Sequence, residues 1–586
     1  MRLADYLFDG IESIGVKNVY GVTGRGSLYL SDAVARNKNL NWIPMHHEQA
    51  AGFAALAESQ LNRAPSVVVV SSGCASTNLM TPLLLAWQDF LPVIFISGQH
   101  FMRETQYFTN QKVRTFGQQE TNVISLVKEL TKWSTMITDS KQIDSFFSDG
   151  FNFMLNGRRG PIWIDIPLDL QSSTILSKGN AHYSVQENVN SAISPARGDV
   201  IYLKDALEKA KRPLLLVGSG VENSRAKEEV QRLSEAFDIP IIYSHTAVDS
   251  FSTLSENIIG SVGSMGCSQA AAIVLNQCDF LVVLGHRLGS YTTGPHPELF
   301  AQNSEVCVVD IDFTEIEAFQ PHVDRRIYSD IKNLINALLQ VTEGRDNSDW
   351  FKKSCKIKKS LEISLDKFSP KEPVDLYYLT ATLSKVLPND AVLITDSGYP
   401  EVIIPTNYTI RGNQRLIHPA SQGSMGYALP AAVGASLNTS EIVCAVIGDG
   451  SIMMNLQELQ TISAMKLQIL ILLINNDSYG IIRNRQDELF RGRTIGTDSS
   501  NGLSCPKFDQ VANAFGIKYK SVMEASQLGP MLKDIVEANE FPLICEIKGL
   551  WDQKYPRVKS ARRISDSLSI LENQENFVDS SIIIDL

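Results

Sequence analysis

Residues 443–447 read Val-Cys-Ala-Val-Ile and run directly into Gly448-Asp449-Gly450-Ser451, while residues 468–474, Gln-Ile-Leu-Ile-Leu-Leu-Ile, end in Asn475-Asn476. Both apolar runs are short, rich in branched side chains and stopped by polar turns, which is the pattern of strands buried on both faces of a parallel sheet. Parallel neighbours need a crossover helix. A strand, a two-glycine turn, a helix and a second strand therefore bring Asp449 and Asn476, 27 positions apart, to the carboxyl edge of one sheet, where such sheets bind ligands. A carboxylate and an amide oxygen suit a hard cation such as magnesium, and the glycines expose N–H groups at a helix start for phosphate oxygens. Gly-Asp-Gly alone is a common turn and Asn-Asn a common loop start; their conjunction describes a metal-diphosphate site.

The same alternation extends outward. Apolar runs at 67–70, 93–96 and 162–166 precede a segment at 172–195 rich in Ser, Asn and Gln, which reads as a linker. Runs at 214–217, 240–243, 280–284 and 306–311 follow, then a polar, lysine-rich stretch at 346–372 that reads as a second linker. The last block holds runs at 392–395, 443–447, 468–474 and 543–547, with a small-residue helix at 430–437. The class is α/β, with three consecutive doubly wound parallel-sheet domains at 1–175, 196–345 and 373–560 and a polar tail at 561–586.

Composition sets the outer limits. A chain of 586 residues with 44% hydrophobic and 20% charged residues is an ordinary globular protein of several domains. The net charge of −11 supplies no positive field for a nucleic acid backbone. No apolar run approaches the roughly 20 residues that cross a bilayer, and Asp5 and Asp9 interrupt any secretory leader, so a cytoplasmic protein is expected. The eight cysteines are scattered without paired close spacing and read as free thiols in a reducing compartment.

A second constellation lies near the other end. Trp42-Ile43-Pro44-Met45 reads as a strand, and His46-His47-Glu48-Gln49 opens a helix of small residues through Leu61. Glu48 is then a partly buried acid at a helix start, where the helix dipole favours a carboxylate. With the Asp449 motif, these residues resemble the thiamine-diphosphate enzymes, and the series Gly24-Arg25-Gly26, 73–78, 114–120, 160–171, Gly218-Ser219-Gly220, 285–294 and 423–430 resembles the acetohydroxyacid-synthase-like branch over residues 1–555.

The resemblance implies pyrimidine-binding, central FAD-type and diphosphate-binding domains in that order. Magnesium would be held by Asp449, Asn476 and the main chain of Ser478. Cofactor contacts would come from Gly24, Thr77, Asn78, Ser397, Gly398, Gly448, Gly450 and Ser451. Glu48 would hydrogen-bond the pyrimidine ring and promote its imino tautomer, Gly423 would accept the aminopyrimidine N–H, and Met425 would bend the cofactor. Gln119, and Asn78 beside it, would hydrogen-bond substrate oxygens. In this family Glu48 and the metal seat come from different subunits, so a homodimer or dimer of dimers is expected. Gly218, Gly220, Arg287 and Asp310 match the side of the central domain that holds a non-redox FAD.

Leu168 stands where the branch usually has lysine, a departure on the flavin side, and two further departures concern substrate. Arg485 stands where true acetohydroxyacid synthases place a tryptophan that selects a small 2-ketoacid. Gln118 replaces an aromatic residue beside Gln119, and Arg483, Arg485, Arg491 and Arg493 form a basic run. The expectation is a thiamine-diphosphate carboligase that decarboxylates pyruvate and transfers the two-carbon unit to a bulkier carbonyl acceptor, such as the nucleotide-linked keto-deoxysugar of yersiniose-type carboligases, with Arg25, Gln118, Ile482 and Arg485 facing it. Acetolactate synthesis, simple 2-ketoacid decarboxylation and a non-catalytic regulatory homologue are the alternatives.

Overall fold

The computed structural model describes residues 1–175, 193–318, 322–361 and 367–555. They form three six-stranded sheets, parallel throughout. The first contains β1 (Asn18–Gly21), β2 (Asn41–Pro44), β3 (Ser66–Ser71), β4 (Val93–Gln99), β5 (Trp133–Met136) and β6 (Ile162–Pro167), in the order β2-β1-β3-β4-β6-β5. The second contains β7 (Pro213–Val217), β8 (Ile241–Ser244), β9 (Ile258–Val262), β10 (Phe280–Leu284), β11 (Glu305–Asp310) and β12 (Arg325–Tyr328), in the order β12-β11-β10-β7-β8-β9. The third contains β13 (Val392–Thr395), β14 (Arg415–Ile417), β15 (Val443–Gly448), β16 (Ile469–Asn475), β17 (Lys518–Val522) and β18 (Leu543–Lys548), in the order β14-β13-β15-β16-β18-β17.

The outer sheets thus share one topology. In each, the chain reverses direction across the sheet between the first and third strands, which opens a crevice at their carboxyl ends. The central sheet reverses between β7 and β10 and has its crevice there.

The Glu48–Asn62 helix packs on the Ala428–Ser436 helix, joining the first and third domains. Small residues permit the close approach: an ideal Cβ on Gly434 would lie 2.1 Å from the carbonyl oxygen of Ala54. Phe53 meets Tyr427 edge to face at 5.3 Å beside this seam. A continuous apolar core also joins the central and third domains.

The stretch at 346–372 departs from its reading as a linker. Its first part forms the Ser348–Ser360 helix, which buries Trp350 and Ile357 against the central domain, with the Trp350 indole donating to the carbonyl of Pro213 at 2.9 Å. Its lysines mask that stripe in the sequence. Of the linker expected at 172–195, residues 176–192 lie outside the described residues, as does the tail at 561–586. Among the described residues no helix is long and apolar enough to cross a membrane, and all eight cysteines are free, with Cys74 exposed.

Candidate active site

At the crevice of the third sheet, Asp449 follows β15 directly and begins a short helix. One carboxylate oxygen accepts the Gly450 N–H at 2.7 Å, and the other is buried with no hydrogen-bond partner. Burial, opposed by the N–H groups of Gly450, Asp477 and Asn476, pushes the carboxyl up to about 6. Asn476 and Ser478 are buried beside it, at the end of β16. Asp477, between them, adopts positive φ and turns outward to an ion pair with Lys548. The sequence thus delivers Asp449 and the Asn476–Ser478 turn to one place, and their donors are all oxygen. A buried orphan carboxylate oxygen facing amide and carbonyl groups fits a hard cation such as magnesium. Gly450 lies under the Tyr479 ring, where a Cβ would come within 1.9 Å of a ring carbon.

Ser397 and Gly398 follow β13 across the same crevice. Asp396 binds the N–H groups of Ser397 (2.8 Å), Gly426 (3.0 Å) and Ala428 (2.7 Å), while burial pushes its carboxyl up to about 7. These bonds fasten the loop that carries Gly423 and Met425 to the sheet edge. Gly423 and Gly426 both have positive φ, so Met425 sits half-buried on a tight turn.

The first domain presents its own group at the equivalent edge. Glu48 is the first residue of its helix, half-buried, and its carboxylate accepts from the Asn78 amide at 2.9 Å. Thr77 and Asn78 lie on the turn after β3, both exposed. Gln119 has positive φ, and its carbonyl packs so closely on Gly73 that a Cβ there would lie 2.3 Å away. Arg25 donates to Gln118 at 3.3 Å, and Gly24 packs on Ser71.

The two groups remain separate within one chain. Their domains touch instead through the Glu48 helix: Asn455 donates to Gln49 at 3.3 Å and Glu458 accepts from the His46 N–H at 3.1 Å. Among the described residues, no hydrogen bond or ion pair links Glu48, Asn78 or Gln119 to Asp449, Asn476 or Met425.

In the central domain, Gly218 and Gly220 pack on Gly285 at the β7–β10 switch, where a Cβ on either would approach Gly285 within 2.6 Å. A cavity of about 480 Å³ opens there among Asp89, Phe90, Arg158, His245, Arg287 and Ser421, drawing on all three domains. Arg287 lies over the Phe90 ring at 5.0 Å and donates to Ser421 at 3.1 Å. Asp310 is buried and bound by Arg158 of the first domain at 2.7 Å, and Arg158 also binds Asp312. Sequence reasoning missed Arg158, Asp89, His245 and His418, which meet at this cavity only once the domains pack together. Leu168 is buried.

The basic run after the metal loop disperses. Arg483 stacks on Trp551 at 4.3 Å and donates to its carbonyl, whereas Arg485 is exposed and paired with Glu488 one turn on. Ile482 is half exposed on the same Gly480–Phe490 helix.

Three family models match in domain order: the thiamine pyrophosphate enzyme N-terminal TPP binding domain over residues 1–126, the central domain over 202–338 and the C-terminal TPP binding domain over 396–547. The acetolactate synthase isozyme 1 large subunit of Escherichia coli is 28% identical over 91% of both chains, and the acetolactate synthase large subunit of Cyanidium caldarium is 29% identical over 96% of both. That of Corynebacterium glutamicum is 27% identical over 97% of this chain and 90% of its own. With the three domains in family order and relatives aligned along nearly the whole length, the chain belongs to the thiamine pyrophosphate-dependent enzymes, in their acetolactate-synthase-like carboligase branch.

Proposed function

We propose that this protein decarboxylates pyruvate and joins the two-carbon unit to a second 2-ketoacid, the reaction class named by its acetolactate synthase relatives. The observation that carries the reading is the buried, unpartnered oxygen of Asp449 beside Asn476 and Ser478. Asp449, Asn476 and Ser478 would seat magnesium, with the backbone of the Gly448–Ser451 turn beside it for a diphosphate. Bound thiamine diphosphate supplies the electron sink that lets a 2-ketoacid lose carbon dioxide and pass on its acyl unit. Gly423 and Met425 would orient its pyrimidine end.

Glu48, held by Asn78, would manage the proton at that end, and Gln119 would orient substrate oxygens. Because Glu48 and Asp449 belong to separate groups within one chain, we assign the complete site to two copies: the Glu48 group of one facing the Asp449 group of the other. The cavity lined by Arg287, Ser219 and Gly285 is the proposed seat of a structural FAD, with Gly218 and Gly220 closing the turn on either side of Ser219 and the Asp310–Arg158 pair next to it.

A second reading keeps the nucleotide-linked keto-deoxysugar as acceptor, because Arg25 and Arg485 put exposed cations beside the two half-sites. The pairing of Arg485 with Glu488 makes the 2-ketoacid the better supported acceptor. Calorimetry with magnesium and thiamine diphosphate tests the cofactor, visible absorbance tests the flavin, and product analysis from pyruvate with and without the sugar nucleotide tests the acceptor. Acetolactate from pyruvate alone is expected; no uptake of thiamine diphosphate overturns the reading, and a sugar adduct as sole product replaces the acceptor.

A further inference from the structure

The loop that carries Gly423 and Met425 begins at His418, and its far side faces the central domain. There the two domains exchange hydrogen bonds between histidines: the His418 Nε2–H donates to the carbonyl of His245 at 2.8 Å, and the His245 Nε2–H donates to the carbonyl of Ala420 at 3.0 Å. Next in the chain, Ser421 accepts from Arg287, and Gln422 donates to Gln88 of the first domain at 3.2 Å. His418, Ala420 and Ser421 also line the interdomain cavity. The turn thus has one face toward the thiamine site and the other toward that cavity.

Glu401 joins the two faces. It projects from the Tyr399–Asn407 helix, is 13% exposed, and sets one carboxylate oxygen 3.8 Å from His418 Nδ1. Its other oxygen lies against Gly423, 3.0 Å from where a Cβ would stand. Because Nε2 of His418 is committed as a donor, Nδ1 is the ring atom turned toward Glu401, buried and at ion-pair distance without a hydrogen bond of its own. Burial raises the Glu401 carboxyl; burial works to lower the His418 imidazole, but Glu401, the His245 carbonyl and Asp89 together turn the net shift upward.

We propose that Glu401 and His418 act together as positioning residues for the carboligation: the buried pair fixes the 418–425 turn, and with it Gly423 and Met425, against the central domain. The proposal rests on the thiamine reading of that turn. A carboxylate packed on one side of a positive-φ glycine and a histidine bonded across the domain seam leave the turn one setting. Loss of either lets the Gly423 carbonyl shift, and displacements near 1 Å can cost on the order of a hundredfold in rate.

The test compares the unmodified protein with Glu401→Gln, Glu401→Asp, His418→Gln and the Glu401→Gln/His418→Gln pair, each saturated with magnesium and thiamine diphosphate. kcat and KM for pyruvate, half-saturating cofactor and melting temperature are read for each. Glu401→Gln and His418→Gln should each lower kcat roughly tenfold to a hundredfold with KM for pyruvate little changed. The double variant should be no worse than the poorer single, as for residues acting through one contact. Glu401→Asp should recover part of the loss. Unchanged kcat in the singles, losses that multiply in the double, or a lower melting temperature as the sole effect overturns the proposal while the cofactor reading stands. Failure of the unmodified protein to take up thiamine diphosphate overturns both. Should Glu401→Gln fail to fold, His418→Gln and Glu401→Asp decide by the same criteria.

Discussion

Gly434→Ala adds one methyl group at the seam between the first and third domains. An alanine Cβ would sit 2.1 Å from the Ala54 carbonyl oxygen, 2.8 Å from its carbon and 3.0 Å from its Cα, all backbone atoms of the facing helix. Rotamer changes cannot relieve a backbone clash, so the two helices must part by roughly 1 Å to restore ordinary contact. Parting loosens the Phe53–Tyr427 pair and strains the bonds from Asn455 to Gln49 and from the His46 N–H to Glu458, which set the start of the Glu48 helix. Overpacking of this kind costs about 1–3 kcal/mol, net of the ~1 kcal/mol by which alanine improves a helix over glycine. For domains of this size that lowers the melting temperature by roughly 3–10 °C. Gly198→Ala is the control: it lies in the Arg197–Lys209 helix with nothing within 4 Å of the added atom, so it should stabilise slightly. Differential scanning calorimetry of both variants provides the measurement. A Gly434→Ala protein that melts at or above the parent temperature would refute the close-packing argument.

Gly450→Ala places a methyl group into the Tyr479 ring at the start of the proposed diphosphate turn, so magnesium-dependent cofactor affinity should fall at least about tenfold in a calorimetric titration, with a small change in melting temperature. Equal affinity would remove Gly450 from the binding turn. Asn78→Ala deletes the 2.9 Å bond that orients Glu48; a hydrogen bond to a charged group is worth about 1.5–3 kcal/mol, so kcat should drop about tenfold or more in a pyruvate assay at saturating cofactor. The carboxylate oxygens of Asp89 are buried at the interdomain cavity, and this burial raises the carboxyl from 3.8 to about 6. The folded protein therefore holds this proton more tightly than the unfolded chain, and stability falls as pH rises from 3.8 to about 6. Removing the charge with Asp89→Asn should recover ~3 kcal/mol at pH values above about 6 and almost nothing near pH 4, by urea denaturation. An equal gain at both pH values would contradict the buried-carboxylate account.

Interior strands were legible in the sequence because burial on both faces leaves unbroken apolar runs, as in β3, β10, β15 and β16. The strands that escaped notice are mostly sheet edges. β5, β12 and β17 have one free flank, and their half-exposed residues, such as Lys518-Tyr519-Lys520-Ser521, carry no continuous apolar signal. β1, an interior strand, is simply short. The Ser348–Ser360 helix was read as a linker because its buried stripe is only Trp350, Ser354 and Ile357 among lysines.

The sequence by itself determined the α/β class, the succession of three parallel sheets and the meeting of Asp449 with Asn476 at one sheet edge, because each follows from strand–helix–strand units joined along the chain. Tertiary structure alone decided what crosses domains: that Arg158 occupies Asp310, and that His245, Glu401 and His418 converge behind Gly423. The physical reason is range. Backbone geometry fixes relations within one crossover, whereas contacts between residues as distant as 245 and 418 are chosen by how whole domains pack, and a linear pattern carries no signal of that choice.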